Sequence, residues 1–378
     1  MSQARDQSAV IDALTALSHL VEVDALPPWL VARAAGIDVA TTAGDHPAVR
    51  RRQDGWFLVD RAPRSGGPRA EQDVDVLQRA ADGALDHLTG MAGSLRDDAP
   101  TTPGGQTAAD ARRWLRVHEK CVLAVADAAN AADLPAAASP ITALLRTVAE
   151  VAGFDPGFVR ALTETAARSA VAERDPESLG AALRSAWVWF ERRGDLAAAE
   201  EYAAREWDLW RRAGRTADAV RLLWWRAEIS RRRGRADLEL RCYERLESLH
   251  DTDSVDADER AALVRVWAAA ASALLAHDRA DLAVDWARRA EHAVRALPDF
   301  PPVEQALVFE WSGRALWASD AVGPARRRFS EALALLVDVD DTAADRIRRL
   351  LTHDRASPLP PATPDRYPAP VPPPSTPS

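Results

Sequence analysis

Four short turns punctuate the second half of the chain at nearly equal intervals, and they constrain the fold more than any other feature. They are Arg193-Gly194-Asp195, Arg233-Gly234-Arg235, His277-Asp278-Arg279 and Ser319-Asp320-Ala321. Counted from Gly194 to Gly234, Asp278 and Asp320, the steps are 40, 44 and 42 residues. Before each turn lies a segment rich in Trp and Leu, and after it one rich in Ala. A period of this length predicts helical hairpins, each too small to bury its own apolar face and therefore stacked on its neighbours. The region covers residues 175–353. The turns at Gly194, Gly214 and Gly234 fall 20 residues apart, which leaves the helix pairing between 178 and 234 open.

Aligned on the turns, the last repeat carries Phe309, Gly313 and Leu316, then Ala325, Phe329, Ala332 and Leu333. The third carries Trp267, Ala271, Leu274, Ala283 and Ala290. The first keeps Leu183, Phe190 and Ala199 but has Trp187 at a position that wants a small residue. The second keeps Leu223, Ala227 and Tyr243. This pattern resembles the tetratricopeptide repeat, in which small residues let two helices approach and large ones fill the space between hairpins. The resemblance implies an all-α solenoid whose first helices line a concave surface. It says little about function, because a fold of this kind hosts many.

On that alignment the inward positions include Arg184, Arg221, Trp224, Trp225, Glu228, Arg265, Trp311, Arg314 and Trp317. Trp and Arg are the residues most enriched at binding hot spots, and an arginine over an indole adds a cation–π attraction. These residues are therefore the candidate partner-binding groove, and the partner expected there is a protein or peptide, acidic with apolar anchors. The competing expectation is that the tryptophans pack between hairpins.

Ahead of the repeats, residues 10–23 carry a helical stripe of Ile11, Leu14, Leu17, Leu20 and Val21. Pro27-Pro28 opens a second short helix to Ala35, closed by Gly36. Asp45 and Pro47 open a third at 46–52, and Trp56 to Val59 has strand composition after the Asp54-Gly55 turn. Three short helices and a strand resemble a winged-helix unit, expected over residues 1–62. Arg50, Arg51 and Arg52 on its third helix are the candidate DNA contact.

Residues 63–106 read as linker loops around one helix, 73–95. Residues 107–174 read as a helical bridge: a long helix opened by a Thr107/Asp110 capping box, one opened by Pro140, and one opened by Asp155-Pro156. A winged-helix-like unit, then a helix bearing Trp114-Leu115-Arg116-Val117-His118-Glu119, then hairpin repeats, resembles the C-terminal arm of STAND-type regulatory ATPases common in actinobacteria. The ATPase domain of that family has no counterpart here. Lys120, the only lysine beside 47 arginines, follows Glu119 and no G-x-x-x-x-G-K-[ST] occurs. ATP binding is not implied.

The tail, 354–378, holds ten prolines between 357 and 378, with P-x-x-P spacings at Pro358–Pro361, Pro361–Pro364 and Pro370–Pro373. It is expected to be disordered with polyproline II character. A net charge of -9 argues against broad binding to nucleic acid, which depends on neutralising phosphates. Cys121 and Cys242 form no C-x-x-C pair, and no apolar run reaches bilayer length, so a reducing, cytoplasmic setting without a membrane is expected. His118 and Cys121 share a helix face, but two ligands do not make a metal site. With no G-x-S-x-G, no H-E-x-x-H and no phosphate loop, the residues point away from an enzyme and from any cofactor.

Three functions follow as expectations. The first is a non-enzymatic interaction or regulatory scaffold that binds a partner segment in the Trp/Arg groove. The second is a DNA-binding transcriptional regulator that uses the N-terminal unit and senses through the repeats. The third is a sensor arm acting with a separately encoded STAND ATPase.

Overall fold

The structure, a computed structural model, describes residues 9–17, 21, 23, 25–37, 56–58, 71–96, 107–250, 257–353 and 359. Helix accounts for 83% of these and strand for 1%, so the chain is all-α. It separates into two compact units, residues 1–206 and 207–378, and the division falls inside one helix. The boundaries expected at 62, 106 and 174 do not coincide with it.

The first unit opens with α1 (9–17), β1 (Ala25–Leu26), α2 (Pro28–Ala35) and β2 (Phe57–Leu58). The helix expected over 10–23 is shorter, since Val21 already lies in a bend. Gly36 caps α2 in the left-handed region at φ 71°, which only glycine adopts without a Cβ penalty. The strands run antiparallel, with Ala25 opposite Leu58 and Leu26 opposite Phe57. An Ala-Leu doublet carries no strand signal, so β1 exists because β2 supplies its hydrogen bonds. The expected third helix, 46–52, and the linker loops 61–69 and 97–106 lie outside the described residues.

Five long helices follow: α3 (Glu71–Arg96), α4 (Ala108–Ala131), α5 (Pro135–Ala152), α6 (Pro156–Ala172) and α7 (Pro176–Arg192). Each packs on the next, and α3 with α5, α4 with α6 and α5 with α7 also touch. Their starts are written locally. Thr107 and Asp110 form the full capping box of α4. Asp155 accepts the Phe158 amide at the head of α6, and Asp175 accepts two amides at the head of α7. One expected start is corrected. Pro140 lies inside α5, which begins at Pro135, because the earlier proline takes the N1 position. A proline so near the start forfeits only one helical hydrogen bond.

Helix α8 (Leu196–Arg212) spans the division. The second unit continues with α9 (Thr216–Arg232), α10 (Ala236–Ser248), α11 (Ala257–Ala276), α12 (Ala280–Arg295), α13 (Pro302–Ala318), α14 (Val322–Leu336) and α15 (Asp341–Leu351). The periodic turns fall between α7 and α8, α9 and α10, α11 and α12, and α13 and α14. Gly194, Gly234, Asp278 and Asp320 all have positive φ, 78°, 64°, 56° and 63°. Position for position they do one job, terminating a helix with a left-handed residue, and Asp tolerates that region better than most side chains. Helices α9 and α10, α11 and α12, and α13 and α14 pack closely as pairs, and α11 also touches α13.

The residues that aligned the repeats are the ones that close the core. Phe309, Ala325, Phe329 and Ala332 are buried together with Trp267 and Ala290, and Leu316 and Leu333 pack against them. A Cβ on Gly313 would lie 2.5 Å from the Phe329 ring, so this is a contact only glycine allows. In the second hairpin Leu223, Ala227 and Tyr243 are buried in one cluster. Leu359 packs against the last cluster; the rest of 354–378 lies outside the described residues. Among the described residues, no helix is long and apolar enough to cross a membrane.

Candidate functional site

The sequence-derived groove residues separate into two groups. On α9, Trp224 is half-buried and meets Tyr243 edge-on at 5.8 Å, and Trp225 is half-buried beside it. Arg221 pairs with Asp218, which also holds Arg215 at 2.6 Å. Glu228 accepts from Arg231 at 2.8 Å and Arg232 at 3.1 Å. On α11, Arg265 pairs with Glu304 of α13 at 2.7 Å and lies over the Phe300 ring. In the first unit, Arg184 pairs with Glu206 at 2.6 Å, and the indole of Trp187 donates to the other carboxylate oxygen.

The second group is interior. Trp311, Arg314 and Trp317 on α13 are 9%, 6% and 7% exposed. Glu310 accepts from Arg314 through one oxygen and from Arg346 of α15 through the other, both at 3.0 Å. Helix α13 touches α11, α12 and α14 as well, so three of its faces are covered. The expectation that these three residues line an open groove with Trp224 gives way to packing. Arg50, Arg51 and Arg52 lie outside the described residues.

A surface that the sequence reading passed over lies on α11 and α12. A cavity of about 660 Å³ has Leu263, Trp267, Ala293 and Ala296 as its apolar wall. Arg260, Arg288, Arg289 and His292 line the remainder, with Asp285 the one carboxylate among the lining residues. Arg288 pairs weakly with Asp285 at 3.3 Å and is largely exposed. Glu247 of α10 takes both the Trp267 indole N–H and Arg289, each at 2.8 Å. The lining therefore carries three guanidiniums against Asp285, with Glu247 just behind. The legible signal was Arg288-Arg289-x-x-His292, whose spacing places basic groups on one face of a helix. It was missed because binding positions were sought only on the first helices of the hairpins.

The chain matches no protein-family model and no curated protein.

The local cluster around His118 takes a different form from a metal site. His118 stacks on Trp114 at 4.4 Å and on Trp56 at 5.2 Å, and Trp29 and His87 complete the group. Its Nδ1 meets the Trp114 carbonyl at 2.8 Å. Burial holds the imidazole below its ordinary pKa. Cys121 is buried too, and that burial pushes its thiol up to about 12, far from a thiolate nucleophile. Among the described residues, no group of three or more His, Cys, Asp or Glu is placed to hold a metal ion.

Proposed function

We propose that this chain is a non-enzymatic interaction module of tetratricopeptide-like hairpins, and that it captures an acidic protein segment with apolar anchors. The observation that carries the reading is the α11–α12 cavity, where four basic side chains ring an apolar wall. The partner's carboxylates would meet Arg260 and Arg288, and its apolar side chains would rest on Ala293 and Ala296, the accessible part of the apolar wall. Rim charges of this kind speed association, while buried anchors slow release. The burial of the residues that aligned the repeats supports the hairpin assignment.

The test uses a fluorescent peptide with alternating Glu and Leu, titrated against the full chain over a salt series. Arg288→Glu should weaken binding about tenfold and flatten its salt dependence, with the melting temperature unchanged. Equal affinity for wild type and variant would refute the site.

A second reading rests on the N-terminal strands. In sequence β1 falls between α1 and α2 and pairs antiparallel with β2, which follows the position expected for a third helix. That order supports a winged-helix-like unit and, with the helices after it, the STAND-arm resemblance. On this reading the partner would be DNA, through Arg50, Arg51 and Arg52, or a separately encoded nucleotide-binding protein. Gel retardation with random DNA, lost steeply as salt rises, would favour the former. Co-purification with a nucleotide-binding protein would favour the latter.

A further inference from the structure

In the first unit two nitrogens of a partly buried guanidinium have no counterpart among the described residues. Arg146 on α5 has its Nε and Nη1 nitrogens shut off from solvent, and neither has a hydrogen-bond partner among the described residues. Burial holds its guanidinium below the usual arginine range. Trp189 on α7 is 2% exposed, and its indole N–H is likewise buried without an acceptor. Both residues line one cavity of about 190 Å³ walled by α5, α6 and α7.

Among the described residues, the polar groups that line the cavity bond elsewhere and none reaches these nitrogens. Glu150, one turn beyond Arg146 and its natural helical partner, pairs with Arg192 of α7 instead. Thr163 and Ser185, which also line the cavity, donate their hydroxyl protons to the Val159 and Ala181 carbonyls of their own helices, each at 2.8 Å. The guanidinium of Arg193 lies 3.8 Å over the Trp189 ring and adds positive potential. Ala149, Val159, Leu162, Ala186 and Val188 make the apolar part of the wall, and Thr147 also lines it, donating its hydroxyl proton to the Leu144 carbonyl at 2.8 Å. Buried donors without acceptors are rare in folded chains, and a buried unpaired guanidinium is among the costliest.

We propose that this cavity is a binding site for a monocarboxylate on a short apolar stem. The carboxylate accepts from Arg146 and from the Trp189 indole, and the stem lies against Val159 and Leu162. One negative charge matches one unpaired guanidinium, and planar recognition of carboxylate by arginine is the geometry this side chain favours. A phosphate dianion would bring excess charge against the apolar wall. The carboxylate has two possible sources: a free short-chain organic acid, or an Asp side chain or C-terminal carboxylate of a partner peptide.

The experiment titrates the full chain with acetate, propionate and butyrate at constant ionic strength, with chloride and sulfate as controls. A second arm titrates short peptides that end in a free or an amidated C-terminus or carry one Asp. Calorimetry and intrinsic tryptophan fluorescence are the readouts, and fluorescence needs only the wild-type protein. Saturable binding that tightens from acetate to butyrate, with no response to chloride or sulfate, supports a free acid as ligand. Binding confined to the carboxylate peptides supports a partner. In either case Trp189→Phe should weaken binding about tenfold and Arg146→Met should abolish it. Absence of saturable binding in both arms, or unchanged affinity in Arg146→Met, overturns the site and leaves a structural cavity.

Discussion

Both units close some buried charges and leave polar atoms of others unmatched, and Glu310 and Arg146 mark the contrast. In the second unit Glu310 is almost wholly enclosed, and both of its oxygens are taken, by Arg314 and by Arg346. Glu291 is enclosed as well, holding Arg328 at 2.7 Å and the Ser312 hydroxyl. In the first unit Glu206 closes in the same manner on Arg184 and Trp187, but Arg146 leaves its Nε and Nη1 nitrogens unmatched. Networks whose every polar atom is matched specify packing, since removing one member strands the others. A donor left unmatched in a cavity is where a ligand gains most. The arginines chosen from the sequence, Arg184, Arg221, Arg265 and Arg314, each hold a carboxylate, as Arg288 and Arg289 of the α11–α12 cavity do; what sets Arg288 apart is its greater exposure.

The sharpest test of this contrast pairs two substitutions. Glu310→Ala leaves Arg314 and Arg346 facing each other in the interior, and should cost about 3–5 kcal/mol in urea unfolding. Arg146→Met removes an unpaired charge and should stabilise by about 1 kcal/mol or more. Changes of the same sign would dissolve the distinction.

A smaller effect separates two glycines. Gly313→Ala drives a methyl into the Phe329 ring and should destabilise by about 1–3 kcal/mol. On α3, Gly90 has open space where a Cβ would go, so Gly90→Ala should stabilise by about 0.5–1 kcal/mol through helix propensity alone. Equal melting temperatures for the two variants would mean that α13 and α14 are not in close contact.

Acidification should act through the histidines. The His118 and His250 imidazoles are both held below the ordinary value of 6.5, chiefly by burial. The unfolded chain therefore takes up these protons first. Their contribution to stability is complete above that value and declines as pH falls toward the folded pKa. Urea midpoints measured from pH 7.5 down to 5 should fall, and His118→Phe should flatten the His118 share of the decline. Burial raises the Glu119 and Glu239 carboxyls, which act with the opposite sign, so the comparison with His118→Phe decides: a variant whose midpoint depends on pH as wild type does would contradict the burial argument.

The smallest effect concerns the tail. Removing 360–378 should leave the melting temperature unchanged, whereas removing 359 as well should lower it slightly, because Leu359 packs on the last core cluster. A drop of several degrees from the shorter deletion would place further tail contacts on the body.

Most helix boundaries were legible because their causes are local. Asp155, Asp175 and the Thr107/Asp110 box act within one turn, and Gly194, Gly234, Asp278 and Asp320 end helices through their own backbone conformation. Pro140 was misread because two prolines competed for one helix start. Strand β1 was invisible because its partner lies about thirty residues away along the chain, and no period in Ala25-Leu26 announces it.

The amino-acid sequence alone determined the helical class, the spacing of the hairpins and the identity of the residues that knit them, because period, caps and turn chemistry are properties of short segments. Only the tertiary structure decided which side chains are available. Trp224 and Trp317 both lie on first helices of hairpins, yet Trp317 is enclosed because α13 is covered on several sides, whereas Trp224 keeps part of its surface. In the same way, Arg146 and Arg184 are both arginines on helices of the first unit. What separates a closed ion pair from an open donor is the carboxylate that the neighbouring helix does or does not bring, and that is set by how the helices pack.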